Sequence, residues 1–499
     1  MNGHSPRSCL VPPSAQRIAF GAGAALLAGL GPVAAQADDL RSALLAAYNT
    51  NPSLQSARET QRATDEGVPI ARADGLPSAN VTAQDTEYVK QSTILSTTGA
   101  QRLGSVSGTL NVPLYSGGAV RNAVKAAEIR VDAGKAGLRG TESTVFSTVV
   151  GAYMDVILDE AVVRLNRTEV QTLQVNLQAT TDRFQIGDLT RTDVAQSQSR
   201  LALAQGNLRG AEANLASARE HYIAVVGKAP VCLEPPPPLP GLPTDVDEAV
   251  EIALAQNPDL IAARERSRAA KSDVGVAGAS RLPRLSLFAD SLYGNYFGTL
   301  SVIGSGNSGG SLPQSGTTAD VGIRATIPLY QGGRPSAEVR QAQAREGAAL
   351  EDEIGSERSV IDQVRSAFTA WQAANSIIES TQTAVAAATL SLEGVRAENS
   401  VGRRTILDIL NATQELVSAQ QQLATARRNA YVAGFTLLAA MGKAEARDLG
   451  LDGGVLYDPD PHYRAARRAI WDWGSDPAPV AHSTRTVDTP AQEGSIPPQ

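Results

Sequence analysis

Residues 111–122 read NVPLYSGGAVRN, and residues 326–337 read TIPLYQGGRPSA. Each phrase carries Pro-Leu-Tyr-x-Gly-Gly, and each opens a very long run without proline. There is none from Leu114 to Ala229 and none from Ser336 to Asp458, in a chain of 499 residues with 27 prolines. One proline inside a helix costs about 3 kcal/mol, so runs of this length point to long helices. Ahead of each phrase the pattern is different. Val321-Gly-Ile323-Arg-Ala325-Thr-Ile327 alternates apolar and polar residues, as does the run from Val106 to Val112, and a period of two marks a strand. The phrase is therefore a joint from strand to helix. Pro113 and Pro328 are expected to end the strand ladder, because proline has no N–H to donate. Gly117, Gly118, Gly332 and Gly333 are expected to let the backbone bend into the helix.

The repetition extends outward in both directions. Asn51-Pro52 returns as Asn257-Pro258 and Leu76-Pro77 as Leu282-Pro283, both 206 residues later. After the joints the spacing is 215: Gly187 with Gly402, Asp193 with Asp408, Gly227 with Gly442. The chain is two copies of one long unit, and the second is nine residues longer between its Leu-Pro step and its joint. The Gly/Ser-rich loop at 298–316 is the natural place for the extra residues. Each copy starts with helices around the Asn-Pro step, where Asn can cap and Pro suits the first helical position. Two strands follow, then a helical hairpin. Its outgoing helix is on the order of 100 Å long at about 1.5 Å per residue. The chain reverses at RFQIGDLTRTD (183–193) and at ENSVGRRTILD (398–408). The returning helices carry heptads, with Leu201, Leu208, Leu215 and Tyr222 matched three residues later by Ala204, Ala211, Ala218 and Val225. The second copy repeats the spacing from Leu416 and Ala419 onward. Leucine against alanine on a seven-residue repeat means close coiled packing.

The expected division is a signal peptide over 1–37 and a first repeat over 38–228 (helices 38–76, strands about 78–114, hairpin 117–228). A Pro-rich linker over 229–244 leads to a second repeat over 245–443 (helices 245–281, strands about 283–329, hairpin 335–443). A C-terminal segment, 444–474, is expected to pack on the helices, and residues 475–499 to form a disordered tail. The signal rests on Arg7 and Arg17, the apolar run Ile18 to Leu30, and the Ala35-Gln36-Ala37 cleavage pattern. Cys9 falls inside it, which leaves Cys232 without an expected partner.

Other signals exclude more than they suggest. Net charge is −7, with no basic run dense enough for nucleic acid. Gly304-Ser-Gly306-Asn-Ser-Gly309 opens no helix, so no dinucleotide site is read there. The four histidines show no metal-ligand spacing. No set of nucleophile, base and orienting group appears, so neither catalysis nor a cofactor is expected.

The duplication, the paired Asn-Pro and PLYxGG phrases, and the turn Ser400-Val-Gly-Arg-Arg-Thr-Ile-Leu-Asp408 together resemble the TolC family of outer-membrane efflux ducts, over roughly residues 38–442. The resemblance implies a mainly α fold with a β-barrel part. Three chains would form a twelve-strand barrel in outer-membrane lipid, continuing into a twelve-helix tube across the periplasm. Elementary physics asks for the same assembly, since four strands cannot close and a membrane tolerates no open strand edge. The resemblance further implies a periplasmic adaptor, an inner-membrane ABC or RND-type pump, and passive export of substrates. It places a gate at the hairpin tips, where Asp193 would link to Arg404 beside Thr192 and Asp408 would line the constriction. Repulsion within such a carboxylate ring should raise a pKa. Two positions depart from the family pattern: Asn411 stands where a second ring aspartate is usual, and Asn399 where a locking tyrosine is usual. A periplasmic coiled-coil protein without a pore is the alternative, and it leaves the alternating strands without a purpose.

Overall fold

The structure is a computed structural model that describes residues 38–90, 98–302, 312–451 and 456–496. The expected signal peptide and the G-x-G-x-x-G stretch lie outside the described residues.

The first repeat runs α1 (Leu40–Thr50), α2 (Pro52–Asp65), α3 (Gly67–Ala73), β1 (Ser78–Glu87), β2 (Thr98–Gly99), β3 (Arg102–Tyr115), α4 (Ala119–Gln185) and α5 (Arg191–Val226). The second runs α6 (Val246–Gln256), α7 (Pro258–Gly278), β4 (Arg284–Asn295), β5 (Ser301–Val302), β6 (Ser315–Thr326), α8 (Arg334–Ser400) and α9 (Ile406–Ala440), and α10 (Asp460–Ala466) follows. Both outgoing helices are 67 residues long, which is on the order of 100 Å.

The four long strands form one antiparallel sheet in the order β1-β3-β4-β6. The two hairpins share one register: Ser78 faces Asn111, and their counterparts Arg284 and Thr326 face each other. Because the pairing is the same up to Glu87–Arg102 and Tyr293–Thr317, the nine extra residues fall between Tyr293 and Thr317, in the loop expected from the sequence. The strand β3 joins the two copies by pairing with β4.

The joints differ from expectation at one point. In the second copy β6 stops at Thr326, before Pro328. In the first, β3 continues through Pro113 to Tyr115, and the ladder takes up the missing donor as a register shift between those two residues. Proline at a bulge leaves no buried carbonyl waiting for an N–H. All four joint glycines adopt the left-handed conformation, with φ between 62 and 84°. Gly118 and Gly333 each sit at the N-cap of a long helix.

Helix α4 packs against α5 and α9 toward its C-terminal end and against α2, α3 and α7 toward the strands; α7 also packs on α8. Heptad alanines Ala204, Ala211, Ala419 and Ala426 are buried, as their spacing requires. The main core gathers α1 and α6 around the middle of α4 and α8 and the ends of α5 and α9, with Phe146, Tyr153, Leu215, Tyr222 and Phe435 inside. Burying each such side chain contributes about 1.5–3 kcal/mol.

Short and long helices are spliced end to end by the Asn-Pro steps. Asn51 Oδ1 accepts from the N–H groups of Ser53 and Leu54, while its Nδ2 donates to the Val225 carbonyl at the end of α5 (2.9 Å). Asn257 does the same between the N–H groups of Asp259 and Leu260 and the Ala440 carbonyl of α9 (2.9 Å). One amide thus satisfies orphan donors of one helix and an orphan acceptor of another. Aspartate could cap, but an ionised Asp has no donor for the second bond. The fit is tight: a Cβ on Gly442 would lie 2.4 Å from the Gln256 carbonyl oxygen.

One further expectation is corrected. Cys232 is disulfide-bonded, so it is not a lone thiol. The described part of the tail, 475–496, touches the helices. Arg219 donates to the carbonyls of Glu493 and Ser495, Glu220 accepts from the Gln492 N–H, and Ile496 packs on the main core. The tail contributes mostly backbone carbonyls to these contacts, and the arginines that donate to them belong to α4 and α5.

Candidate functional site: an inside-out sheet and two capped hairpin tips

The register sorts the sheet into two faces. One row reads Val112, Leu287, Ile323, the next Ala79, Leu110, Ala289, Val321, and another Ala83, Val106, Tyr293. The opposite face carries the row Asn80, Thr109, Asp290, Asp320, with Ser286 and Arg324 nearby. No second layer among the described residues covers the apolar face: Val321 is 76% exposed and Ile323 66%. In a water-soluble sheet the apolar face is the covered one. Here apolar residues point outward and polar ones line the other side, the arrangement of a transmembrane barrel wall. No described helix is long and apolar enough to cross a membrane. The tyrosines of the two joints, Tyr115 and Tyr330, stand exposed at the helix-proximal rim of this wall, where aromatic girdles occur. The sequence showed both phrases, but only the sheet places these rings at a rim.

At the far end, each hairpin tip is closed by a reciprocal cap. The Thr190 hydroxyl accepts from the Asp193 N–H (3.3 Å), and Asp193 Oδ2 accepts from the Thr190 hydroxyl (2.7 Å) and N–H (2.9 Å). Thr405 and Asp408 repeat this with 3.3, 2.8 and 2.9 Å. These capping boxes fix the first turns of α5 and α9. The bonds from the Thr190 hydroxyl and N–H hold the Asp193 carboxyl below its usual range. The Thr405 N–H and hydroxyl, with Arg404 nearby, do the same for Asp408. The direction in the chain is thus opposite to the rise expected for a ring, because hydrogen bonds stabilise the ionised form.

The expected link between Asp193 and Arg404 is not made within the chain. Arg404 Nε donates instead to Glu398 Oε2 across its own turn (2.7 Å), and the Asp193 oxygen that accepts is occupied by Thr190. The first tip is closed by Arg183 on Asp188 (2.7 Å). Glu398 occupies the position equivalent to Arg183, so the two tips use ion pairs of opposite polarity. That inversion hides the correspondence from sequence comparison. Asn399 Nδ2 donates to the Arg404 carbonyl (2.7 Å) and stabilises the turn. Asn411 Oδ1 accepts from Arg200 (2.9 Å), tying α5 to α9. Thr192 is exposed on the first turn of α5. No cluster of three or more metal-ligating side chains occurs among the described residues.

A wall with an apolar exterior, joined to helices about three times as long as a membrane core is deep, defines a subunit of a membrane channel with a long helical extension. The sequence profile of the outer membrane efflux protein family matches residues 43–228 and 249–443, one stretch per repeat. The chain belongs to that family, and is an outer-membrane protein whose helices extend into the periplasm. It is similar to the outer membrane efflux protein BepC of Brucella suis biovar 1 (strain 1330), 33% identical over 448 residues, covering 89% of this chain and 94% of the relative. Outer membrane protein TolC of Escherichia coli (strain K12) is 29% identical over 321 residues, 62% of this chain and 63% of that protein. Among solved structures, the Campylobacter jejuni CmeC outer membrane channel superposes with a TM-score of 0.71, at 16% identity over 86% of this chain and 89% of that one.

Proposed function

We propose that three copies of this chain close into a passive exit duct. Twelve strands form the barrel in the outer membrane, and twelve helix positions form the periplasmic tube. The duct releases substrates when a periplasmic adaptor and an inner-membrane ABC or RND-type pump dock on it. It performs no chemistry of its own, and the work comes from the pump.

One observation carries the reading. The sheet ends in open edges at β1 and β6, while β3 and β4 join the two copies in a fixed register. Duplication makes β6 the equivalent of β3, and β1 the equivalent of β4. Leu110 faces Ala289, so the same geometry sets Ala325 opposite Ala83 of the next chain. A membrane leaves no other way to satisfy those edges. The double variant Ala83→Cys/Ala325→Cys is therefore expected to give a covalent ladder ending at three chains under mild oxidation, since directly opposed strand residues approach closely enough for a disulfide. A ladder that stops at two, or none at all, overturns the closed barrel. A pore-free coiled coil has no use for the apolar wall and gives no such ladder.

In this reading the tips form the gate. Asp193, Thr192, Arg404, Asp408 and Asn411 lie at or near the tips, and the pairs confined to one chain leave Arg404 and both capped aspartates exposed to neighbouring tips. Opening follows when the adaptor binds an untwisted arrangement better than the closed one. Arg404→Ser is expected to raise the single-channel conductance of the closed state in planar bilayers; an unchanged closed conductance counts against Arg404 as a latch.

A further inference from the structure

The C-terminal excursion around α10 has no part in the duct. Its contacts follow an order. The Tyr457 N–H donates to Tyr48 Oη (2.8 Å), His462 Nδ1 lies 2.9 Å from Asp65 Oδ2, and Lys135 pairs with Asp460 (2.5 Å). Tyr463 then packs beside Val131, Val124 and Ala71. Arg467 pairs with Glu128 (2.9 Å), and its carbonyl accepts from Arg72 (3.2 Å). Positions 135, 131 and 128 step along α4 toward its N-terminus, so this segment climbs toward the strands. The Gly474 N–H donates to the Trp471 carbonyl (3.3 Å) in a turn, and the chain then descends to Gly227, whose carbonyl accepts from Thr484 (3.4 Å).

The apex of the climb is RAARRAIWDWG (464–474). Ile470 is 71% exposed, Trp471 75% and Trp473 87%. Arg468 has no ion pair among the described residues. Glu128 lies nine residues into α4, about 14 Å from its start; the four steps from Arg467 to Trp471 begin in a turn, where the Ala469 N–H donates to the Ala466 carbonyl, and reach up to about 11 Å, with the indole side chain extending beyond that. The indoles can thus stand level with the rim where Tyr115 and Tyr330 are exposed. Exposed tryptophans next to Arg468, and to Arg464, whose Nε donates only to the Asp460 carbonyl (3.3 Å), beside an apolar barrel wall, fit one environment. Indole rings settle at the headgroup boundary, and guanidinium groups bind phosphate.

We propose that residues 464–474 anchor the chain to the periplasmic leaflet of the outer membrane, with Ile470, Trp471 and Trp473 in the interfacial zone and Arg464 and Arg468 on phospholipid phosphates. The anchor rests on the membrane placement of the strands above. It fixes the height of the helical tube relative to the bilayer, and helix α10 transmits that constraint to α2 and α4.

The chain has three tryptophans, so Trp371→Phe leaves only the two at the apex as emitters. The full-length variant is reconstituted into vesicles of phosphatidylethanolamine and phosphatidylglycerol. These contain phospholipid brominated either near the carbonyl end of the acyl chain or near its methyl end. Shallow bromine is expected to quench roughly twofold more than deep bromine, and aqueous acrylamide access should fall several-fold on transfer from detergent to vesicles. If Trp371→Phe fails to fold, the difference between the unaltered chain and Trp471→Phe/Trp473→Phe reports the same signal. Protein that floats with the vesicles but shows no bromine quenching overturns the anchor and leaves the duct standing. Tryptophans already shielded from acrylamide in the detergent particle mean that a second copy covers them, which also overturns it. Protein that fails to float removes the membrane reading of the strands as well.

Discussion

Helices α4 and α8 are the same helix written twice. Each has 67 residues, each starts at a left-handed glycine, and each occupies the same place in its repeat. Their surroundings differ. Buried positions on α4 run from Ala126 to Thr180, whereas α8 buries side chains only between Val360 and Leu392. It leaves Leu350, Ile354, Ile377 and Leu390 between 45 and 71% exposed. The reason is position. Helix α4 is flanked on both sides, by α2 and α7 near the strands and by α5 and α9 near the tips; α8 has α7 and α9 on one side only. The neighbours missing from α8 are those that α2 and α5 of another copy would supply. The joints repeat the contrast. A Cβ on Gly117 would lie 2.8 Å from Leu282 Cβ and 2.9 Å from the Ala279 carbonyl oxygen, while one on Gly332 meets nothing within 4 Å. The equivalents of Ala279 and Leu282 in the first repeat are Ala73 and Leu76, at the open edge.

The most severe test of this contrast places a charge on each helix. Val149→Asp puts a carboxylate at a fully buried site, at a cost of several kcal/mol, about 3–5 if it stays ionised and unpaired, and no folded chain is expected. Ile354→Asp leaves the single chain intact, with an unchanged helical circular-dichroism signal, but is expected to reduce the detergent-extracted particle from three chains to one. A trimer of unchanged stability would show that this part of α8 faces water in the assembly.

A smaller effect comes from the joints. Both Gly117→Ala and Gly332→Ala force a side chain into left-handed backbone, at about 1–2 kcal/mol each. Only Gly117→Ala also collides with the second repeat. In dissociated chains, thermal melts are expected to show Gly117→Ala as the more damaging; in the assembled particle the two should converge. A gap that persists after assembly would mean that no neighbour packs at Gly332.

The smallest effect tests a feature shared by both halves. Thr190→Ala and Thr405→Ala each remove a capping box, and amide exchange in the first turns of α5 and α9 should rise roughly fivefold. Both Asp193 and Asp408 have folded pKa values below the ordinary aspartate value of 3.8. Their caps therefore add stability that is present above that value and is lost as pH falls through the folded value. Tip exchange, corrected for its intrinsic pH dependence, should stay flat from pH 7 to about 4 and rise only below that. A rise already at pH 5 to 6 would indicate a carboxylate ring with raised pKa values, formed by adjoining tips.

Much of the architecture was legible because it depends on local rules. Proline exclusion marked the long helices, heptad alanines marked their packing, and alternation marked the strands. The double function of Asn51 and Asn257 was half legible: their capping side follows from the Asn-Pro step. Their donation to Val225 and Ala440 joins residues 174 and 183 positions apart, which no local pattern encodes. The Arg404–Glu398 pair was missed because the first tip closes with the opposite polarity and one position earlier, at Asp188, the counterpart of Arg403.

What the sequence determined by itself is the repeating unit: where helices begin and end, which strand residues alternate, and where proline and paired glycines turn one into the other. These are near-neighbour effects of backbone sterics and hydrogen bonding. Only the tertiary structure decided that β3 pairs with β4, that the apolar face of the sheet has no cover, and that α4 lies inside while α8 lies at an edge. Two nearly identical stretches cannot differ in environment through their local preferences. They differ because α4 packs against helices of both repeats, whereas α8 packs mainly against helices of its own.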